Sequence, residues 1–138
     1  MEATYILTNN PMVQSKWQDS VDLDYVDLDL LGFFKELRDR IHAGETLLSH
    51  PLSSSIKPGE TPYKSVLLEK KGAEETTDQN SLEMVEIAIQ ATEKFLTFYA
   101  KRLPVYSERV HRDFQLIDLS VINSALESAG VSVFEKLV

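Results

Sequence analysis

Between Thr4 and Gly44 the spacing of apolar residues switches repeatedly between the period of a strand and that of a helix, which confines the chain to folds where the two alternate. Thr4 to Thr8 is a β-branched and aromatic run that stops at Asn9-Asn10-Pro11, as a buried strand should. Proline at 11 biases Asn10 toward the extended backbone of an N-cap and suits the first helical position, so a short helix is expected from Pro11 to about Trp17. Val21, Leu23 and Tyr25 then alternate with Asp22 and Asp24, the pattern of a strand with one wet side at the edge of a sheet. From Leu30 the stripe Leu30, Phe34, Leu37, Ile41 is helical and ends at Gly44, where left-handed backbone closes a helix.

The second half is less regular. Thr46 to Ser49 and Ser65 to Glu69 read as a third and a fourth strand. The segment between them carries Pro51, Pro58, Pro62 and Gly59, and no helix fits there. Residues 72–80 read as a polar linker, after which Asn80 and Glu83 match a capping box and open a helix over 81–100. Its apolar arc is broad: Leu82, Val85, Ile89, Leu96 and Tyr99 on one side, Met84, Ala88, Ala91, Phe95 and Phe98 beside them. Such a helix is buried on two sides, by its own domain or by a second copy of the chain in a homodimer. Arg102-Leu-Pro104 breaks the chain, Val110, Phe114, Ile117, Val121 and Ala125 predict a last helix over 107–128, and the tail 131–138 fits either a helix turn or an edge strand. The expected fold is one α/β domain over 1–138: a small Rossmann-like or flavodoxin-like three-layer arrangement, about four mostly parallel strands with helices on both faces.

Composition removes several chemistries. The 138 residues contain no cysteine, so disulfides, thiolate nucleophiles and cysteine-ligated metals are excluded. The three histidines, His42, His50 and His111, lack metal-ligand spacing, and neither a metal nor another cofactor is expected. A net charge of −8 disfavours nucleic acid as a partner. The acidic group Asp19, Asp22, Asp24, Asp27, Asp29 and the basic group Lys101, Arg102, Arg109, Arg112 read as solvated faces. With neither a signal-like start nor a membrane-length apolar run, the cytoplasm is the expected location.

Candidate chemistry concentrates in the stretch from Ser49 to Ser65. Prolines stiffen it, Pro58-Gly59 suits a type II turn, and Ser53, Ser54 and Ser55 beside Lys57 and Lys64 offer donors to a carboxylate or phosphate. The competing reading is a loop whose serines serve its own backbone. Ligands in α/β sheets gather at the carboxyl ends of the strands, which puts Asn9 and Asn10 on one rim with His50 if the first and third strands are parallel neighbours. The candidate ligand-binding set is therefore Asn9, Asn10, His50, Ser53, Ser54, Ser55, Lys57, Tyr63 and Lys64. His50 is also a candidate base for a neighbouring serine, although no nucleophile-elbow motif accompanies it. Asn10 as an N-cap needs no functional explanation, and Asp118, placed among apolar residues of the last helix, gains interest only if buried beside Lys57, Lys64 or His50.

Three stretches, Thr8-Asn-Asn-Pro11, His50-Pro-Leu-Ser-Ser-Ser-Ile-Lys-Pro-Gly-Glu-Thr-Pro-Tyr-Lys-Ser65 and Asp113-Phe-Gln-Leu-Ile-Asp-Leu119, resemble the GrdX family over nearly the whole chain. The chain departs from the family loop at Ser54, where glycine is common, and at Gly59, where asparagine is common. The resemblance implies association with the glycine, sarcosine and betaine reductase systems of amino-acid-fermenting anaerobic bacteria. Without cysteine the chain is no redox carrier, so the expected role is accessory: binding a small anionic ligand, or docking reductase subunits without a small-molecule site. A small hydrolase or transferase using His50 is a third possibility.

Overall fold

The computed structural model describes residues 4–53, 56–57, 59–70, 76–99 and 105–130. Four strands, β1 (Thr4–Thr8), β2 (Leu23–Tyr25), β3 (Thr46–Leu47) and β4 (Ser65–Glu69), form one sheet in the order β2-β1-β4-β3. Four helices, α1 (Pro11–Trp17), α2 (Leu30–His42), α3 (Gln79–Phe98) and α4 (Glu108–Ser128), cover it. The strands alternate in what they bury. Tyr5, Leu7, Val66 and Leu68 face α2 and α3, where Phe33, Phe34, Leu37, Ile41, Val85, Ala88 and Ile89 complete one core. Ile6 and Leu67 face the other way and pack with Val13 of α1 and Ile122 and Leu126 of α4. Both faces of the central pair are thus sealed, which is why β1 and β4 read as continuous apolar runs.

Strand direction departs from the expectation. β1 and β2 are parallel, but β4 runs antiparallel to both β1 and β3, so two of the three pairings are antiparallel. β1 and β3 point the same way, yet β4 lies between them and they are not neighbours. The physical reason is the connection. Parallel neighbours need a crossover, usually helical, whereas the segment from Leu48 to Lys64, with no helix among its described residues, returns the chain beside β3 in the opposite sense. β2 does occupy an edge, as its aspartates suggested.

The helix ends follow from local chemistry. Asn10 caps α1, its side chain accepting from Met12 N at 2.9 Å, with Pro11 in the first turn. Asp29 caps α2 by accepting from Gly32 N, and Gly44 follows the helix with φ of 105°. The acidic group is therefore more than a solvated face, since Asp24 also pairs with Arg40 at 2.7 Å. α3 starts before the expected capping box. Its N-cap is Asp78, whose carboxylate accepts from Ser81 N at 3.0 Å and from Ser81 Oγ at 2.6 Å. Ser81 Oγ in turn accepts from Leu47 N at 2.9 Å, tying the first turn of α3 to β3. Residues 72–75 of the linker expected over 72–80 lie outside the described residues, as does the tail 131–138.

Asp78→Ala is expected to cost about 1 kcal/mol of stability, and Asn80→Ala to change it by less than about 0.5 kcal/mol. Urea denaturation of the two variants measures both.

Candidate functional site

The carboxyl end of β1 and the start of β4 meet at Thr8↔Ser65, and everything polar at that rim is organised around Asp118 of α4. Asp118, Ile122 and Leu126 recur at spacing four on the buried stripe of α4, so the helix carries a carboxylate where the core asks for an apolar side chain. Asp118 is 5% exposed. Its Oδ1 accepts from Ser65 N at 3.0 Å, and its Oδ2 accepts from Ser65 Oγ at 2.7 Å and from Asn10 Nδ2 at 3.0 Å. Since the single Ser65 hydroxyl proton goes to the carboxylate, Thr8 donates to Ser65 at 2.6 Å, and Asn10 N donates to Thr8 Oγ1 at 2.9 Å. Burial pushes the Asp118 carboxyl above its ordinary value, against the pull of the Asn10 and Ser65 donors and of the Lys64 charge.

The paired asparagines hold this rim together. Asn9 Nδ2 donates to Leu28 O and Pro62 O, each at 3.0 Å, while its Oδ1 accepts from Lys64 N at 2.8 Å. Asn10 Nδ2 gives its second proton to Gln115 O at 3.0 Å. Both amides have spent both donors on the protein. Asn9 thereby pins the segment before β4 and presents Lys64, which is 6% exposed, to a small cavity lined by Ile56, Thr61, Tyr63, Phe114, Ile117 and Asp118. Among the described residues the Lys64 ammonium makes neither a hydrogen bond nor an ion pair within 4.0 Å, although Asp118 acts on it electrostatically. Burial lowers its affinity for the proton, and the Asp118 charge opposes that.

Tyr63 borders a second, open cavity of about 420 Å³, lined also by Glu108, His111, Arg112 and Gln115 from the N-terminal half of α4. Tyr63 Oη and His111 Nδ1 are hydrogen-bonded at 2.9 Å. Tyr106 closes the neighbouring loop by donating to Glu60 O at 2.6 Å. That loop turns at Gly59, whose φ of 93° fits a type II turn, with Glu60 N donating to Lys57 O at 3.0 Å. A Cβ on Gly59 would lie 2.5 Å from the Phe95 ring, so α3 also keeps this position a glycine.

His50 and Ser53 lie elsewhere. They line a groove of about 450 Å³ with Ser49 on one wall and Ser120, Ser124 and Ser128 of α4 on the other, and it shares no residue with the Lys64 and Tyr63 cavities. Among the described residues the expected serine–histidine pairing is not formed. Ser53 Oγ donates to the His50 carbonyl at 2.9 Å, Ser49 Oγ accepts from Leu67 N at 2.9 Å, and His50 Nδ1 accepts from Leu52 N at 3.0 Å. The Nδ1 lone pair is occupied, so the neutral ring carries its proton on Nε2 and offers a donor where a base was expected. Lys57 is exposed, while Ser54 and Ser55 lie outside the described residues.

Nothing in their spacing singled out His111 and Arg112 as site residues, because only the fold brings them to Tyr63. Asp118 did carry a signal, a charge on an apolar stripe. No group of acidic or histidine side chains among the described residues could hold a metal ion, and no helix there is long and apolar enough to cross a membrane. A family model described as GrdX-like protein matches residues 5–127. No curated protein and no solved structure matches the chain.

Asp118→Ala leaves Ser65 N and Asn10 Nδ2 buried without an acceptor and is expected to cost about 3 kcal/mol, read by urea denaturation. Lys64 gives a pH signature. The folded chain holds this proton less tightly than the unfolded chain, so the stability contributed by Lys64 rises with pH up to the ordinary lysine value of 10.5. Wild type should therefore gain stability relative to Lys64→Met when denaturation is repeated from about pH 7 to about pH 10.

Proposed function

Since the chain belongs to the GrdX-like protein family, we propose that it is an accessory protein of a glycine, sarcosine or betaine reductase system and binds a small carboxylate or phosphate beside Tyr63 and Lys64. The family supports the association with the reductase system. With no cysteine in its 138 residues, the chain supplies no thiol to the redox steps.

The anion site rests on one observation: Lys64, 6% exposed and without an ion pair among the described residues, lines a small cavity that shares Tyr63 with an open one bordered by Arg112 and His111. A desolvated cation is costly until an anion approaches it. Arg112 adds a planar fork of donors suited to carboxylate or phosphate, and Tyr63 and Gln115 add neutral polar groups. In this reading Asn9 and Asn10 shape the rim and do not touch the ligand. Ser54, Ser55 and Lys57 belong to the same loop, and His50 with Ser53 stands apart in the serine-lined groove.

Titration calorimetry of the full chain against glycine, betaine, acetyl phosphate and inorganic phosphate tests the site. Saturable heat is expected with at least one of them, weakened about tenfold or more, some 1.4 kcal/mol, by Arg112→Ala and abolished by Lys64→Met. Silence across all four refutes an anion site.

A second reading, docking of a reductase subunit or of a second copy of the chain, draws on the end of α3. Val85, Ala88 and Ile89 are buried in the protein's own core, but Phe98 is 82% exposed and Ile87 half exposed. Sedimentation equilibrium, alone and with reductase subunits, should show a complex that Phe98→Ser disrupts.

A further inference from the structure

The open cavity beside Tyr63 carries both signs of charge. Its lining holds one carboxylate and one guanidinium, those of Glu108 and Arg112, together with Tyr63, His111 and Gln115. Arg109 and Asp113 of the same helix do not line it. Glu108 and Arg112 lie four residues apart on α4, the spacing and order at which an acid and a base on a helix most readily pair. They do not pair: both are exposed, and among the described residues neither side chain makes an ion pair or a hydrogen bond. A volume of about 420 Å³ is in the range of small-ligand clefts. His111 packs edge-on against both Tyr63 and Tyr106, each ring centroid 5.8 Å away. With the Tyr63 hydroxyl donating to His111 Nδ1, the neutral imidazole keeps its proton on Nε2 and adds a donor to the same cavity.

A ligand held by Arg112 in this cavity also meets Glu108. An anion without a positive group gains from the guanidinium and loses to the carboxylate, the more so when it is a phosphate, which is more than singly charged. A molecule that carries a carboxylate and an ammonium satisfies both side chains at once. We infer that the cavity selects a small zwitterion, its carboxylate on Arg112 and its ammonium on Glu108. The carboxylate half rests on the anion-site reading; the ammonium half goes beyond it and ranks phosphates below zwitterions. Glu108 sets the specificity, attracting the ammonium and repelling anions that lack one.

The test is titration calorimetry of the full chain with ligand pairs that differ only in the ammonium: glycine against acetate, β-alanine against propionate, and 4-aminobutyrate against butyrate. At least one zwitterion is expected to bind about tenfold or more tightly than its partner. Glu108→Gln should erase that preference by weakening the zwitterion without weakening the simple carboxylate, whereas Arg112→Gln should weaken both members of the pair. Both positions are exposed, and an unchanged melting transition shows that each variant keeps the fold. Equal binding within every pair, binding of inorganic phosphate alone, or a preference that survives Glu108→Gln overturns the zwitterion inference and leaves the anion site standing. Silence of all six ligands and of phosphate overturns both.

Discussion

A carboxylate withdrawn from water has to be met by donors, and Asp118 is met by donors from two separate stretches of chain: the backbone and hydroxyl of Ser65 opening β4, and the amide of Asn10 beyond β1. Asp118 itself sits on α4, so one side chain fastens a helix to the ends of two central strands. The rest of the rim depends on that fastening. Asn10 is simultaneously the cap of α1, Thr8 and Ser65 form the last pair of the β1–β4 ladder, and Lys64 precedes Ser65. Moving α4 would disturb the start of α1, the register of the central pair and the position of the lysine together. Polar contacts of this kind add less to stability than the apolar cores on either side, but they specify which of several similar packings the helix adopts.

Much of the fold was legible from residue pattern. The helices α1, α2 and α4 begin and end close to where proline, aspartate, serine and glycine place them, because capping is a local transaction between neighbouring residues. Layering was legible too, since the unbroken apolar runs of β1 and β4 demand cover on both faces. Strand direction was not, because Ser65 to Glu69 reads the same whichever way it points. The direction is set by what precedes it, and the absence of a helix between Leu47 and Ser65 was the available sign that β4 would run back against β3. The start of α3 was misplaced for a different reason. Asp78 and Asn80 are both good caps, and the choice went to the one whose partner Ser81 also reaches Leu47, a contact distant in sequence.

The candidate site was legible only in outline. Tyr63 and Lys64 come to the sheet end as the loop position implied, and the asparagines spend their amide hydrogens on carbonyls and a carboxylate that burial leaves without water. His50 follows β3, which β4 separates from β1, so it opens onto a different groove. His111 and Arg112 were visible only as a lone histidine and one member of a basic group that read as a solvated face. What assembles them with Tyr63 is the docking of α4, and that docking is itself directed by Asp118, a residue whose sequence position already looked out of place.

The contact between Ser81 and Leu47 has a bearing beyond α3. Leu48 N donates to Leu67 O inside the sheet, so the alternate amide of Leu47 points outward, and Ser81 Oγ occupies it. A second molecule approaching that side finds the Leu47 amide already engaged. Fraying of the first turn of α3 would release that amide and open the outer edge of β3 to another strand.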